Sequence, residues 1–322
     1  MRYMSNQSHS IDISTLEPVS AKSKRARKWR LLTKPYMYLA PALVLLWIWM
    51  YYPMLSTFIL AFQNWGMVPG TSPSPAGLDN FVRLLASKDF GISIINTIFY
   101  TVGLLPFSIV IPLFLAVATH KMEGKMKNVY RAMFFIPLIL APVSVGAIWR
   151  WLFHPTNGLV NDLLLRFSLI DAPIAFFSDP VFAKWLILLI TGWKMIGFGT
   201  ILFSAALTGI SKDYYEAISL EGANRFQQFR DLTLPLLSPM IFLVLMMSLL
   251  FSSQWTFAYI DILTQGGPFG TSTNIYYEMY KYGFSNMDVG LSAAAAMLFF
   301  IVFGIIAFVL NTITKKYAFY DN

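Results

Sequence analysis

The sequence predicts an all-α integral membrane protein with six transmembrane helices. Composition, charge-free runs and the placement of basic residues predict it. Of the 322 residues, 57% are hydrophobic and 12% are charged, where a soluble domain carries about 25% charge. The charges cluster and leave six runs, each long enough for the ~20 apolar residues that carry a helix across the hydrocarbon core. Lys and Arg gather on alternate connections between those runs, as the positive-inside rule requires of a multi-pass chain.

The first run lies between Lys34 and Asp79, with its apolar part from about Tyr36 to Phe62. It is too long for a signal h-region and follows a ~34-residue polar tail, so it reads as a retained span. The second span runs from about Ile92 to Thr119, and the third lies between Arg131 and Arg150. The fourth runs from about Val181 to Leu207 and is interrupted by Lys194. The fifth lies between Asp231 and Asp261, and the sixth between Asp288 and Lys315. Three parts follow: a basic, polar tail over residues 1–33, one membrane domain over 34–316, and a C-terminal tail over 317–322.

Of the 24 basic residues, 17 fall on one side of this arrangement. They occupy the N-terminal tail, the second-to-third connection (Lys121, Lys125, Lys127, Arg131), the fourth-to-fifth (Lys212, Arg225, Arg230) and the C-terminal end (Lys315, Lys316). Arg83, Lys88, Arg150, Arg166, Lys184 and Lys281 are assigned to the other. Both termini are therefore expected in the cytoplasm. The net charge of +8 belongs to cations flanking apolar spans, so nucleic acid is not an expected partner, whereas the lipid bilayer is. With no cysteine, disulfides and thiolate metal sites are excluded, and His9, His120 and His154 form no metal motif. The outward loops hold turn-rich pieces, Pro69-Gly-Thr-Ser-Pro73 and Gln265-Gly-Gly-Pro268.

The connection between spans four and five carries the functional signal. Ser211 can cap a helix whose first turn holds Asp213, where a negative charge suits the positive end. Gly222 can end that helix in a left-handed conformation. Tyr214, Ala217 and Ile218 fall on one face at helical spacing. Pro235 opens span five, where a missing N–H costs nothing. Such a short amphipathic helix, tethered between two spans, suits either the groove of another protein or the lipid surface. The residues alone leave both open.

Glu216-Ala217, Gly222 and Leu234-Pro235 resemble the EAA signature of binding-protein-dependent ABC importer permeases. The resemblance implies the type I importer permease fold, with this segment as a cytoplasmic coupling helix seated in a cleft of an ATPase subunit. Tyr215, Glu216, Ala217, Ile218, Gly222, Leu234 and Pro235 become the coupling residues, Ile218 standing where a second alanine is usual. Gly77-Leu-Asp-Asn-Phe81, Phe177-Ser-Asp-Pro180 and Leu263-Thr-Gln-Gly-Gly-Pro268 resemble the carbohydrate branch of that family, which includes the maltose permease. Within it, permeases for acidic, alginate-like oligosaccharides are also resembled.

The family implies a second, related permease subunit, two ATP-binding cassette subunits and an extracytoplasmic solute-binding protein, assembled in the bacterial inner membrane. No G-x-x-x-x-G-K-[ST] phosphate loop occurs in this chain. It is expected to bind no cofactor itself and to be no enzyme, with ATP and Mg held by the partner ATPase. The family also implies alternating access, and Ser292-Ala-Ala-Ala-Ala296 in span six would permit close helix approach.

Sugar hydroxyls need polar groups and sugar rings stack on aromatic faces, so Ser253, Gln254, Thr256 and Tyr259 in span five are candidate path residues. By resemblance, Ser253 and Thr256 fall where the maltose permease has sugar-contacting asparagines, and Phe198 where it has a tyrosine near substrate. The competing reading is hydrogen bonding between helices. Lys194, a cation within a span, should face a cavity or a partner. It can meet an anionic substrate, pair with the second permease, or snorkel to the interface. An ion-coupled secondary transporter would want an acidic residue in a span, and none lies inside these six. That class and an ABC permease for a non-sugar solute such as glycerol phosphate are the alternatives.

Overall fold

A computed structural model of the protein describes residues 35–67, 70, 72–120, 122 and 124–317. The basic tail over residues 1–33, Lys121 and most of the C-terminal tail, residues 318–322, lie outside the described residues, as do Pro69 and Thr71 of the outward turn. The chain divides into two compact units, Met1–Ser56 and Thr57–Asn322. In the first, an apolar helix begins at Pro35, with a wider turn at Trp47–Tyr51, and none of its residues is buried.

The second unit is built on long helices at Lys88–His120, Pro180–Thr208, Ser238–Thr264 and Val289–Lys316, which are the second, fourth, fifth and sixth spans. The third departs from the expected single rod. It is two helices, Ala132–Ile139 and Pro142–Leu152, meeting at 102°. The cause is the Pro137-Leu-Ile-Leu-Ala-Pro142 sequence. Leu140 and Ala141 are extended, with ψ 134° and 133°. Pro142 disfavours the helical region at Ala141 and offers no N–H to continue the ladder.

Small residues let the spans approach. A Cβ at Gly199 would run into the Ser108 carbonyl of span two, and one at Gly197 into the Phe134 carbonyl of span three. Span four is consequently the central element. Ile187, Ile190 and Met195 on it are buried together with Tyr100 of span two, Val145 of span three and Tyr259 of span five.

Each family-like loop motif has a structural job. Asn80 of Gly77–Phe81 is fully buried, and its amide donates to the carbonyls of Ala61 (3.0 Å) and Gln63 (2.9 Å). Nearby, Arg83 pairs with Asp288 at 2.7 Å, joining the approach to span two with the start of span six. Asp179 of Phe177–Pro180 caps span four, accepting from the N–H groups of Val181 and Phe182 at 2.8 and 2.9 Å, with Pro180 in the first turn.

The Gly-Gly-Pro loop ends span five with Gln265 at φ 50° and Gly266 at φ 79°, both left-handed. The chain then returns to Asn274, which caps helix Ile275–Tyr280 through an acceptor for the Tyr277 N–H at 2.8 Å. Four residues of span two hold this loop and the top of span five. Asn96 donates to the Gly270 carbonyl, Thr97 accepts from the Ile275 N–H, Tyr100 donates to the Ser272 carbonyl, and Thr101 shares a hydrogen bond with Ser252.

Candidate functional site

The helix between spans four and five is Lys212–Leu220. Ser211 caps it, its hydroxyl accepting from the Asp213 N–H at 3.2 Å. At the other end Gly222 adopts φ +81°. The Gly222 N–H reaches the Ser219 carbonyl at 3.0 Å and the Ala223 N–H the Ile218 carbonyl at 3.3 Å, the paired bonds of a Schellman stop. Asn224 and Gln227 then form a capping box that starts the next helix at once. A rigid stop followed by a rigid start gives the segment a fixed angle.

Two side chains anchor the helix to the base of span five. The Thr233 hydroxyl donates to the Gln228 carbonyl at 3.2 Å, which leaves its oxygen to accept from Tyr215 OH at 3.0 Å. Ile218 is half-buried, as are Leu234 and Pro235. The face expected from Tyr214, Ala217 and Ile218 is therefore split: Tyr215 and Ile218 turn inward, while Tyr214, Glu216 and Ala217 are exposed. Leu220, 89% exposed, and Phe226, 67% exposed, extend the outward apolar surface beyond what the motif marked. Arg230 lies 2.7 Å from Asp231, and its hydrogen bond holds that carboxyl below the usual carboxylate range.

The path candidates separate into two groups. Lys194 lies 14 residues into span four, about 21 Å along a helix rising 1.5 Å per residue. Its ammonium sits over the Trp255 ring, 5.4 Å from the centroid. Phe198 packs edge-on against both Phe251 and Trp255, each at 5.7 Å, and those two rings stack at 5.1 Å. Gln254 beside them is exposed. Lys194, Phe198, Ile201, Ala205 and Thr208 follow helical spacing along one face of span four. The last three line a groove of about 490 Å³ shared with Phe134 and Phe135 of span three.

Ser253, Thr256 and Tyr259 turn into the chain instead. The Asn274 amide donates to the Ser253 carbonyl at 2.8 Å and to the Thr256 hydroxyl at 2.7 Å. Among the described residues, the hydroxyls of Ser253 and Tyr259 find no hydrogen-bond partner. Trp255 and Asn274 are not among the candidate residues read from the sequence. Periodicity could have found Trp255, one helical turn from Phe251 on the face opposite Phe198. Nothing local marked Asn274, whose partners lie 18 and 21 residues away.

A bundle of long apolar helices, with a grooved face and a docking-shaped helix between two spans, defines a multi-pass membrane transport subunit. The chain belongs to the family of binding-protein-dependent transport system inner membrane components, which it matches over residues 84–316. It is 30% identical to a probable ABC transporter permease, YesP, of Bacillus subtilis, across 94% of this chain and 96% of that one. It is 28% identical to the sn-glycerol-3-phosphate permease UgpA of Pectobacterium atrosepticum, across 88% and 94%. Its fold overlays a chain from the crystal structure of a bacterial ABC transporter involved in import of the acidic polysaccharide alginate. That match has a TM-score of 0.79 and 25% identity, and covers 92% of this chain and 99% of the other. A related structure holds the same type of transporter with a periplasmic protein bound to an alginate pentasaccharide.

Proposed function

We propose that this chain is the permease of an ATP-driven ABC importer, and that its cargo is an oligosaccharide bearing negative charge. The observation that carries the charge is Lys194. An ammonium at mid-span costs about 2.5–3.5 kcal/mol, while a cation–π contact returns about 0.5–2 kcal/mol. The Trp255 ring thus offsets only part of the cost. Among the described residues the four ion pairs use other cations, and none of their carboxylates pairs with Lys194. A hydrated path visited by an anion supplies the rest. Phe198, Phe251 and Trp255 offer the aromatic surface that sugar rings favour, and Gln254 an exposed amide.

Partners follow from the same reading. An external solute-binding protein delivers cargo; the similar alginate transporter is in complex with a periplasmic protein bound to an alginate pentasaccharide. A second permease closes the groove along span four. Two ATPase subunits hold ATP and Mg and receive the Lys212–Leu220 helices, with both termini of this chain on that same cytoplasmic side. Closing of the ATPase pair draws those helices together. Tyr215, bonded to Thr233, and Ile218 pass that movement into span five, while the chain connects span four directly through Gly209 and Ser211. Rigid helices then exchange inward for outward access.

A second reading, a phosphorylated small solute, is favoured by likeness to UgpA. Uptake by the complete complex in proteoliposomes separates the two. Lys194→Ala is expected to weaken uptake of an acidic tetrasaccharide and to spare assembly, and unchanged uptake would refute the role of Lys194. Glu216→Lys is expected to abolish co-purification of the ATPase subunit or its coupling. Intact association and coupling would remove the coupling-helix assignment.

A further inference from the structure

Lys184 belongs to span four rather than to an outer loop, since the Asp179 cap starts the helix at Pro180. This places a second cation on that helix, four residues or about 6 Å in from its N-terminal end. Its ammonium donates to Asn96 Oδ1 at 2.7 Å and lies 4.2 Å from the centroid of the Phe99 ring. Asn96 is 3% exposed and spends its own N–H on the Gly270 carbonyl at 3.2 Å, so the amide oxygen is fixed in place. Phe99 is fixed in turn by Trp185, edge-on at 5.0 Å. The ammonium is therefore held by two rigid, uncharged groups, and among the described residues no carboxylate pairs with it. An ammonium has three donors, and Asn96 accepts from one. The side chain is half-buried, which leaves the remaining N–H groups an approach from outside.

We propose that Lys184 is an outer anion station on the cargo route, ahead of Lys194. The inference rests on the acidic-oligosaccharide reading and sharpens it. The two lysines are ten residues apart on one helix, about 15 Å along its axis and about 80° around it, Lys184 towards Asn96 and Phe99 of span two and Lys194 towards Trp255 of span five. A solute with a single anionic group meets them one after the other. A chain of several charged rings engages both at once, and gains from holding the second charge at high effective concentration while the first is bound. The pair therefore selects for a polyanionic oligomer, such as an oligouronate, over a small monoanion. Asn96 is the positioning residue that points the ammonium.

The test uses the complete transporter with its binding protein in proteoliposomes. The probes are a tetrasaccharide of uronic acids, a neutral glucose tetrasaccharide and glycerol phosphate. Wild-type uptake of the uronate tests the functional reading by itself; a wild type that moves none of it overturns that reading, and this proposal with it. Given wild-type uptake, Lys184→Gln is expected to raise KM for the uronate about tenfold, the equivalent of one charge-assisted contact. kcat should hold, because binding alone is lost. Uptake of any neutral sugar should not change. Lys184→Arg should restore most of the loss, and raised ionic strength should weaken wild-type uronate uptake more than that of Lys184→Gln. Equal losses on charged and neutral sugars would reduce Lys184 to a support for Asn96 and the Gly270 loop. An unchanged uronate KM in a well-assembled Lys184→Gln complex would also overturn the proposal.

Discussion

Gly222→Ala isolates one physical quantity at the point where the Lys212–Leu220 helix ends and the chain turns. Gly222 holds φ +81°, and no atom lies within 4 Å of a Cβ built there. The substitution therefore creates no clash, and its cost is torsional. A side chain in the left-handed region costs about 1–2 kcal/mol, which shifts a two-state equilibrium roughly 5–30-fold. The alternative state is a frayed helix end, without the Ser219 and Ile218 carbonyl bonds and with the Asn224 capping box displaced. Asparagine tolerates the left-handed region better, so Gly222→Asn is the matched control. The assay is ATPase activity of the reconstituted complex, with and without substrate-loaded binding protein. Gly222→Ala should lower the stimulated rate severalfold, and Gly222→Asn should keep most of it. Wild-type stimulation in Gly222→Ala, or equal damage from both substitutions, would show that the left-handed turn at Gly222 does not set the stimulated rate.

Tyr215→Phe removes one hydrogen bond to Thr233, a loss of about 0.5–1.5 kcal/mol; it should lower the ratio of stimulated to basal ATPase while the purified complex keeps its subunit composition. Asn274→Ala removes a helix cap and both donors to span five, roughly 2–3 kcal/mol in sum. A thermal melt in detergent should show a Tm several degrees lower, and an unchanged Tm would mean that the outer loop is not held through Asn274.

The sequence was most legible where local chemistry decides. The apolar runs located the spans, Ser211 and Gly222 bounded the inter-span helix, and Asp179-Pro180 marked the start of span four. The 102° break in span three was written in Pro137 and Pro142, but hydropathy alone reads that stretch as one rod. Tyr214, Ala217 and Ile218 share a face by spacing, yet the anchor to Thr233 decides which part of the helix turns inward, and that partner is 18 residues from Tyr215. Ser253 and Thr256 illustrate the same limit. Polar residues in a span serve a path or a neighbouring helix with equal plausibility until Asn274 is seen beside them. Lys184 is counted with the outer basic residues although the span is read from about Val181, because a long cationic side chain that near a span's end can reach the interface.

On the proposed function, this membrane bundle moves cargo at the expense of ATP held by partner subunits. Uptake of labelled uronate tetrasaccharide tests it most directly, using proteoliposomes that carry the complete complex with ATP either enclosed or absent. Accumulation is expected to require enclosed ATP and to be indifferent to proton or sodium gradients. Accumulation driven by an ion gradient in the absence of ATP would contradict it.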